Sequence, residues 1–472
     1  MGSQRWRIGL WQRLISLLVL VGLLAPCAYA EKGDEEEANG PLRLSLKDCI
    51  QRALADHPSV QEVQWDVAIR RSDLQQAEAG YQPTAEFVNL AGVVNDAKGS
   101  LGGLRKDGSP NFKQFGGLSH LGPFTRLEGQ IVYPLFTWGK LPNGVKAASK
   151  GLEQEIVNVE QKKAEAVREV KEFYYTLLYT RQVQELLNDV REGFQKAVKT
   201  ADERLKEGKV TQLDVLNLRI GYIGVAKEVE KLRNGIELTR AALLRAMGLS
   251  QTTAFEIADT ALTPQPAHLK DLDFYVQRLF ANRPEWRKLR LGIQAKEAEL
   301  QVASSDYFPT FFLSVPVRYA YAPGRSRQTN PWADDNFNFG SAGPVVGLHW
   351  SLSFGETAAK VARSRAELMK LRSQEKTAAA SFPVEVKEAY LNVKEAEERM
   401  TITADGRKAG RALVTLAAAN FELGIGEPQD VFLGLGNYTR ATNDYYEAVR
   451  DYNIALAKLS LVVGEEVSEL QY

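Results

Sequence analysis

One pattern is written twice, end to end, in this chain. "QRALADHPSV" (51–60) aligns without a gap with "QRLFANRPEW" (277–286), and Tyr81, Pro83 and Thr84 with Tyr307, Pro309 and Thr310, all at an offset of 226 residues. Further on, "VKEFYYTLL" (170–178) meets "VKEAYLNVK" (386–394) and "LKEGKVTQLDVL" (205–216) meets "FELGIGEPQDVF" (421–432) at an offset of 216. "LLRAMG" (243–248) and "KLSLVVG" (458–464) close the two halves at that same offset of 216. Several anchors in one order mean a duplication, so both halves must solve the same folding problem with one architecture.

Each half reads as helix, strand, strand, long helix, turn, helix. The first helix is expected over about 46–80 and again over about 272–306, where apolar residues recur at helical spacing. Tyr-x-Pro-Thr stops it each time, because proline disfavours the helical region at the residue before it. Strands follow at about 85–95 and 125–135, and at about 310–321 and 345–353. "LEGQIVYPL" (127–135) sets Leu127, Gly129, Ile131, Tyr133 and Leu135 against Glu128, Gln130 and Val132. "TFFLSVPVRYAY" (310–321) puts Phe311, Leu313, Val315, Val317, Tyr319 and Tyr321 on one face. The glycine-rich, polar stretches 97–122 and 323–343 read as surface loops. About ten residues with one apolar face suit a tilted outer-membrane strand, and equally a strand of a soluble sheet.

Very long helices come next, at about 139–207 and 212–247, then about 356–423 and 428–463. Leu187, Val190, Phe194, Ala197, Ala201 and Leu205 recur at three- and four-residue steps, a coiled-coil seam. Roughly 65 residues at 1.5 Å each give about 100 Å of helix, a length no compact soluble domain needs. Pro383 predicts a kink or break in the third long helix. The fold class is therefore mainly α with a small β part. Four strands cannot close a barrel, and an open sheet edge in lipid leaves backbone groups unsatisfied. If these strands span a membrane, several chains share one barrel.

The termini add a destination. Residues 1–30 hold Arg5, Arg7 and Arg13, the apolar run "LISLLVLVGLLA" (14–25) and "AYA" (28–30), the pattern of a secretory signal peptide. Its removal turns the formal net charge from 0 to −3, which leaves no basic excess for nucleic acid. Cys27 falls inside that segment, or heads a lipid-attachment box "LAPC" (24–27); Cys49 alone remains, so no intramolecular disulfide forms. Residues 31–43 read as a flexible acidic lead-in, 44–250 as the first repeat, 251–269 as a linker, 270–464 as the second repeat and 465–472 as a tail.

Taken in order, the "LSLKDCIQRALADHP" opening (44–58), the "YQPT" and "YFPT" exits, "YPLFTWGK" (133–140) and the turns "GKVTQLDVL" (208–216) and "GIGEPQDVF" (424–432) resemble the TolC family of outer-membrane efflux channels. The resemblance covers about 44–464. It implies a homotrimer: a trimeric α-helical barrel in the periplasm joined to a shared 12-stranded β-barrel in outer-membrane lipid. It implies a passive exit duct of a tripartite efflux pump or type I secretion system, docked by its periplasmic tip on a periplasmic adaptor protein. An inner-membrane transporter of RND, ABC or MFS type would supply the energy, since no G-x-x-x-x-G-K-S/T phosphate loop occurs here. "HWSLSFGE" (349–356) departs from the pattern by lacking the proline of "YPLF".

The same resemblance assigns Gly208, Lys209, Val210, Gly424, Ile425 and Gly426 to the tip turns that dock the adaptor, and Asp214 and Asp430 to a pore constriction. Copies of a carboxylate around a narrow axis repel one another and hold cations. Local chemistry accounts for the same residues differently: the glycines as helix C-caps, Pro428 as a first-turn proline, the aspartates as helix-start acids. Leu433 stands where members of the family often carry a further acid. Arg204, Lys206 and Lys209 either pair across helices near the tip or form a solvated face. Tyr133, Trp138 and Trp350 fall where strands become helices and fit an interfacial aromatic belt, or plain packing at a corner. His57, His120, His268 and His349 are scattered, with no zinc spacing and no cofactor motif, so no enzyme is read here. A competing class is an exported periplasmic coiled-coil scaffold or pump adaptor, which would need small β domains with both strand faces buried.

Overall fold

Each repeat opens on a helix that proline divides. Ser45 caps α1 (Leu46–Asp56) through a reciprocal box with Asp48: Ser45 N donates to Asp48 Oδ2 at 2.9 Å and Asp48 N to Ser45 Oγ at 3.3 Å. α1 stops at His57, and α2 (Pro58–Ala79) starts afresh on Pro58. The second repeat does the same with α5 (Leu272–Asn282), Arg283 and α6 (Pro284–Ser305). The single helices expected over 46–80 and 272–306 are thus two each. The residue before the proline leaves the helical region, with ψ of 127° at His57 and 119° at Arg283. This computed structural model describes residues 42–104, 110–115, 120–328, 335–353 and 355–468. The expected signal segment 1–30 with Cys27, nearly all of the lead-in 31–43 and the end of the tail 465–472 lie outside the described residues.

The Tyr-x-Pro-Thr exits hand the chain to β2 (Thr84–Asn95) and β7 (Thr310–Tyr321). β2 pairs with β5 (Leu121–Phe136), and β5 with β7, all antiparallel. The far side of β7 carries two short strands, β8 (Phe339–Ala342) at one end and β9 (Val345–His349) at the other. The strand expected over 345–353 therefore ends at His349. The stretch 97–122, read above as loop, holds a hairpin of β3 (Ala97–Leu104) and β4 (Pro110–Phe115); glycine and polar content hid its backbone pairing. β1 (Leu42–Leu44) pairs with β6 (Phe255–Ile257), so the 251–269 linker also contains a strand.

Two helical hairpins complete the chain. The first joins α3 (Lys140–Lys206, 67 residues) to α4 (Gln212–Ala246), the second α7 (Glu356–Leu423, 68 residues) to α8 (Pro428–Val463). α3 packs between α4 and α8, and α8 between α3 and α7, which leaves α4 and α7 as the outer members of the row. The α3 seam is buried at Leu187, Val190, Phe194, Ala197 and Ala201, where it meets Val215 and Leu218 of α4 and Val431 and Leu435 of α8. Of the kink or break expected at Pro383, the break does not occur: α7 is one continuous helix through it. A second core, of Tyr275, Leu279, Val386, Tyr390, Val393 and Leu456, packs α5 against α7 and α8. Among the described residues no helix is long and apolar enough to cross a membrane.

Candidate functional site

Two places in this fold can carry function: the sheet, and the far ends of the hairpins. In the sheet, register turns sequence alternation into two unlike faces. Phe87, Gly129 and Val317 lie side by side, as do Ala85, Ile131 and Val315, then Tyr133, Leu313 and Val346. This face is mainly apolar, with Asn89 and Thr125 bonded to each other on it, and much of it is exposed, at Phe87, Val93, Ile131, Tyr133, Tyr319 and Val346. A Cβ on Gly129 would run into the Phe87 ring, so the aromatic side chain covers the glycine. The opposite face is mixed: it sets Glu86 beside Gln130 and Glu128 beside Arg318, with exposed Val88 and Leu90 among them. Arg126 bonds Glu128 at 2.5 Å, and Gln130 Nε2 donates to Ser314 Oγ at 2.9 Å. A mainly apolar face backed by one that carries hydrogen-bonded polar groups is the pattern that outer-membrane strands use at a lipid–water boundary.

The corner where β5 enters α3 is held by aromatic rings. Trp138 and Gly139 both have positive φ, 51° and 84°, and Trp138 is the one non-glycine residue so placed among the described residues. Its strain is offset by contacts. The indole stacks on Phe308 at 4.7 Å, meets Phe136 edge-on at 5.1 Å and donates from Nε1 to Pro309 O at 2.8 Å. Trp350 donates from Nε1 to Tyr307 O at 3.3 Å, so the two tryptophans grip the "YFPT" exit from both sides. Lys140 Nζ bonds Asp306 at 2.7 Å beside them. Exposed Phe136, Tyr307 and Phe308 join Tyr133, Trp138 and Trp350 in this band. Sequence reading placed none of those three in the band, although "YF" before Pro-Thr signalled Tyr307 and Phe308, and "YPLFTW" (133–138) signalled Phe136.

At the other end the two turns come together. Gly208 and Gly424 take positive φ, 72° and 84°, as glycine permits at a helix end. Gly426 is also required by space, since a Cβ there would stand 2.9 Å from Asn420 and from the Phe421 nitrogen. Arg204 links the turns: Nη2 donates to Glu422 O at 3.2 Å and the guanidinium lies 4.5 Å from the Phe421 ring centre. Lys209 pairs with Glu207 at 2.8 Å and holds the Glu207 carboxyl below its usual range. Lys206 is exposed, and Val210 tucks against the seam. A groove of about 580 Å³ runs between the turns, lined by Arg204, Lys209, Asp214, Gly424 and Glu427. Leu423 and Ile425 are 76% and 77% exposed beside it.

Both aspartates close capping boxes. Thr211 donates to Asp214 Oδ2 from N at 2.9 Å and from Oγ1 at 2.7 Å, and Glu427 N donates to Asp430 Oδ2 at 3.4 Å. Asp214 is half-buried by its cap, whereas Asp430 is exposed. Asp430 is thus the more solvent-accessible of the two. Among the described residues no three or more His, Cys, Asp or Glu side chains converge as metal ligands. His57 is occupied otherwise: its Nδ1 accepts from Ser59 N at 3.2 Å and its Nε2 faces Glu169 at 3.3 Å.

An exposed amphipathic sheet joined to twin long hairpins is the fold of outer-membrane channels. The chain matches VceC of Vibrio cholerae with a TM-score of 0.69 and 16% identity, over 90% of this chain and 97% of that one. It matches the CmeC channel of Campylobacter jejuni with a TM-score of 0.70 and 13% identity, over 90% and 87%. The chain belongs to the outer membrane efflux protein family, whose model matches residues 49–249 and 275–465. It is 23% identical over 328 residues to the multidrug resistance outer membrane protein MdtP of Shigella flexneri, an alignment that spans 63% of this chain and 65% of that relative.

Proposed function

We propose that this protein is the passive outer-membrane exit duct of a tripartite efflux pump or type I secretion system. The observation that carries the reading is the open sheet: an exposed, mainly apolar face, a face that carries the polar groups, and free edges at β2 and at β8/β9. In lipid those edges require partners, and copies of the same chain supply them. The duplication gives the register. Val132 lies opposite Thr84 as His349 lies opposite Thr310, so the pairing of Val132 with Ser314 between repeats transposes to His349 with Val88 of the next copy. Three copies make the twelve strands that the TolC resemblance implies, with the polar face lining a water-filled lumen and the aromatic corner at the periplasmic interface of the outer membrane.

From there about 100 Å of helix reaches across the periplasm. The tip turns, with exposed Leu423 and Ile425, meet a periplasmic adaptor, and the adaptor couples the duct to an inner-membrane transporter of RND, ABC or MFS type. The MdtP likeness favours multidrug efflux as the pathway served. Asp430, three copies of it, rings the narrow end and favours cations.

The test is conductance of the detergent-purified protein in a planar bilayer, with Asp430→Ala beside it. A small cation-selective conductance that rises in Asp430→Ala supports duct and acidic tip together. Conductance unchanged by the substitution keeps the duct and leaves Asp430 as a helix-capping residue. A monomeric, non-conducting protein would sink the duct.

A further inference from the structure

A second groove opens on the hairpins, and it shares no lining residue with the one at the tip. Its volume is about 660 Å³, and it runs between α4 and α8 with α3 as its floor. Leu187 and Phe194 of α3, Val225 of α4 and Phe432 of α8 give it an apolar lining. Phe432 meets Phe194 edge-on at 6.0 Å, which fixes both rings.

Glycines hold the space open. Gly221 of α4 has a packing reason, since a Cβ there would stand 2.5 Å from the Phe194 ring. Gly224, three residues on, and Gly436, on the α8 side of the groove, have no such reason: nothing lies within 4 Å of the Cβ either would carry, and neither has a positive φ. A glycine inside a helix costs about 1 kcal/mol against alanine, and no close approach within the chain accounts for that cost at these two positions. Their missing side chains leave room. Charge then selects what enters it. Arg440 lines the groove, is exposed, and makes no hydrogen bond or ion pair with another described residue. Glu228, also on the lining, is already paired with Lys231 at 3.8 Å. Asn443 accepts from Tyr179 at 3.0 Å through Oδ1, which leaves its Nδ2 to donate elsewhere. An unpaired cation and an amide donor beside an apolar floor suit an anionic head on an apolar body, and the volume suits one drug-sized molecule. We infer that this groove binds an anionic amphiphile, its body against Leu187, Phe194 and Phe432 and its head at Arg440.

The site lies within one chain and does not depend on the duct proposed above. The full chain in lipid nanodiscs is titrated with anilinonaphthalene sulfonate and with phenylnaphthylamine, the same aromatic body without the sulfonate, against empty nanodiscs. Gly224→Leu and Gly436→Leu, singly and together, fill the room, and Arg440→Gln removes the charge. Leucine is the better helix former, so the filled variants melt no lower than wild type, which separates filling from unfolding. The expected result is saturable fluorescence above that of empty nanodiscs, with both probes weakened about tenfold in the double leucine variant. Arg440→Gln weakens the sulfonate probe alone, by about fivefold. No saturable binding to wild type, or a double leucine variant that binds both probes as wild type does, overturns the site. A sulfonate probe indifferent to Arg440→Gln overturns the anionic ligand.

Discussion

The second proline corner offers an asymmetry that a stability measurement can read. Arg283 bonds Glu385 at 2.6 Å, but the guanidinium side is 8% exposed and the carboxylate side 43%. Arg283 also faces Glu285 at 3.3 Å and lies 3.7 Å from the Phe382 ring centre, while its Nη1 has no hydrogen-bond partner. Removing the carboxylate by Glu385→Gln strands a buried cation. That costs about 3 kcal/mol, the low end of the range for breaking a buried pair because Glu285 remains. Removing the cation by Arg283→Met leaves a carboxylate that water can reach, so the loss is mainly the ring contact, about 1 kcal/mol. Urea unfolding of the purified protein, followed by far-ultraviolet circular dichroism, compares the two with the double variant. The double variant falls closer to Arg283→Met than to Glu385→Gln, since no unpaired charge stays buried in it. Arg283→Met proving as costly as Glu385→Gln would refute the reasoning and make the arginine's packing, not its charge, the issue.

Two further outcomes follow from titrating groups outside the sheet. Hydrogen bonds from Ser45, first its side chain and then its backbone, hold the Asp48 carboxyl below its usual value. That contribution is present above the ordinary carboxylate range and is lost as pH falls through the lowered value. Ser45→Ala accordingly costs about 1 kcal/mol at neutral pH, and thermal melts at a series of pH values show the cost shrinking in acid; a cost independent of pH would remove Asp48 from the cap. Burial pushes the Cys49 thiol up to about 12, so iodoacetamide leaves it unmodified in the folded protein at neutral pH and labels it in concentrated denaturant. Equal labelling in both conditions would show that α1 does not shield it.

How far the sequence could be read follows period and punctuation. Strand alternation located Leu313, Val315 and Val317 on one face because a two-residue period survives any neighbour, and the seam from Leu187 to Ala201 was legible for the same reason at helical period. His57-Pro58 and Arg283-Pro284 carried a readable break, but unbroken apolar spacing across them argued for continuity, and the proline prevailed. Pro383 shows the converse: inside α7, which packs on α6 and α8, tertiary contact outlasts one lost hydrogen bond. The β3–β4 hairpin lacks the alternation that would have announced it. At the tip, "Thr-x-x-Asp" announces a cap, and a cap is what Asp214 makes; facing a pore is a property of several copies, which no single-chain pattern encodes.

The duplication carries information that neither half holds alone. Glu169 and Glu385 are equivalent at the offset of 216, and so are His57 and Arg283 at 226. Each carboxylate faces the residue before its proline, His57 in one repeat and Arg283 in the other. Arg283 brings a permanent charge, His57 does not, and in the first repeat Arg245 pairs with Glu169 as well. The counterpart of Arg245 is Leu461. Each repeat thus keeps one arginine on its carboxylate, from the proline corner in one and from the end of the second hairpin helix in the other. The corner is a constraint on charge and position that two different side-chain sets satisfy.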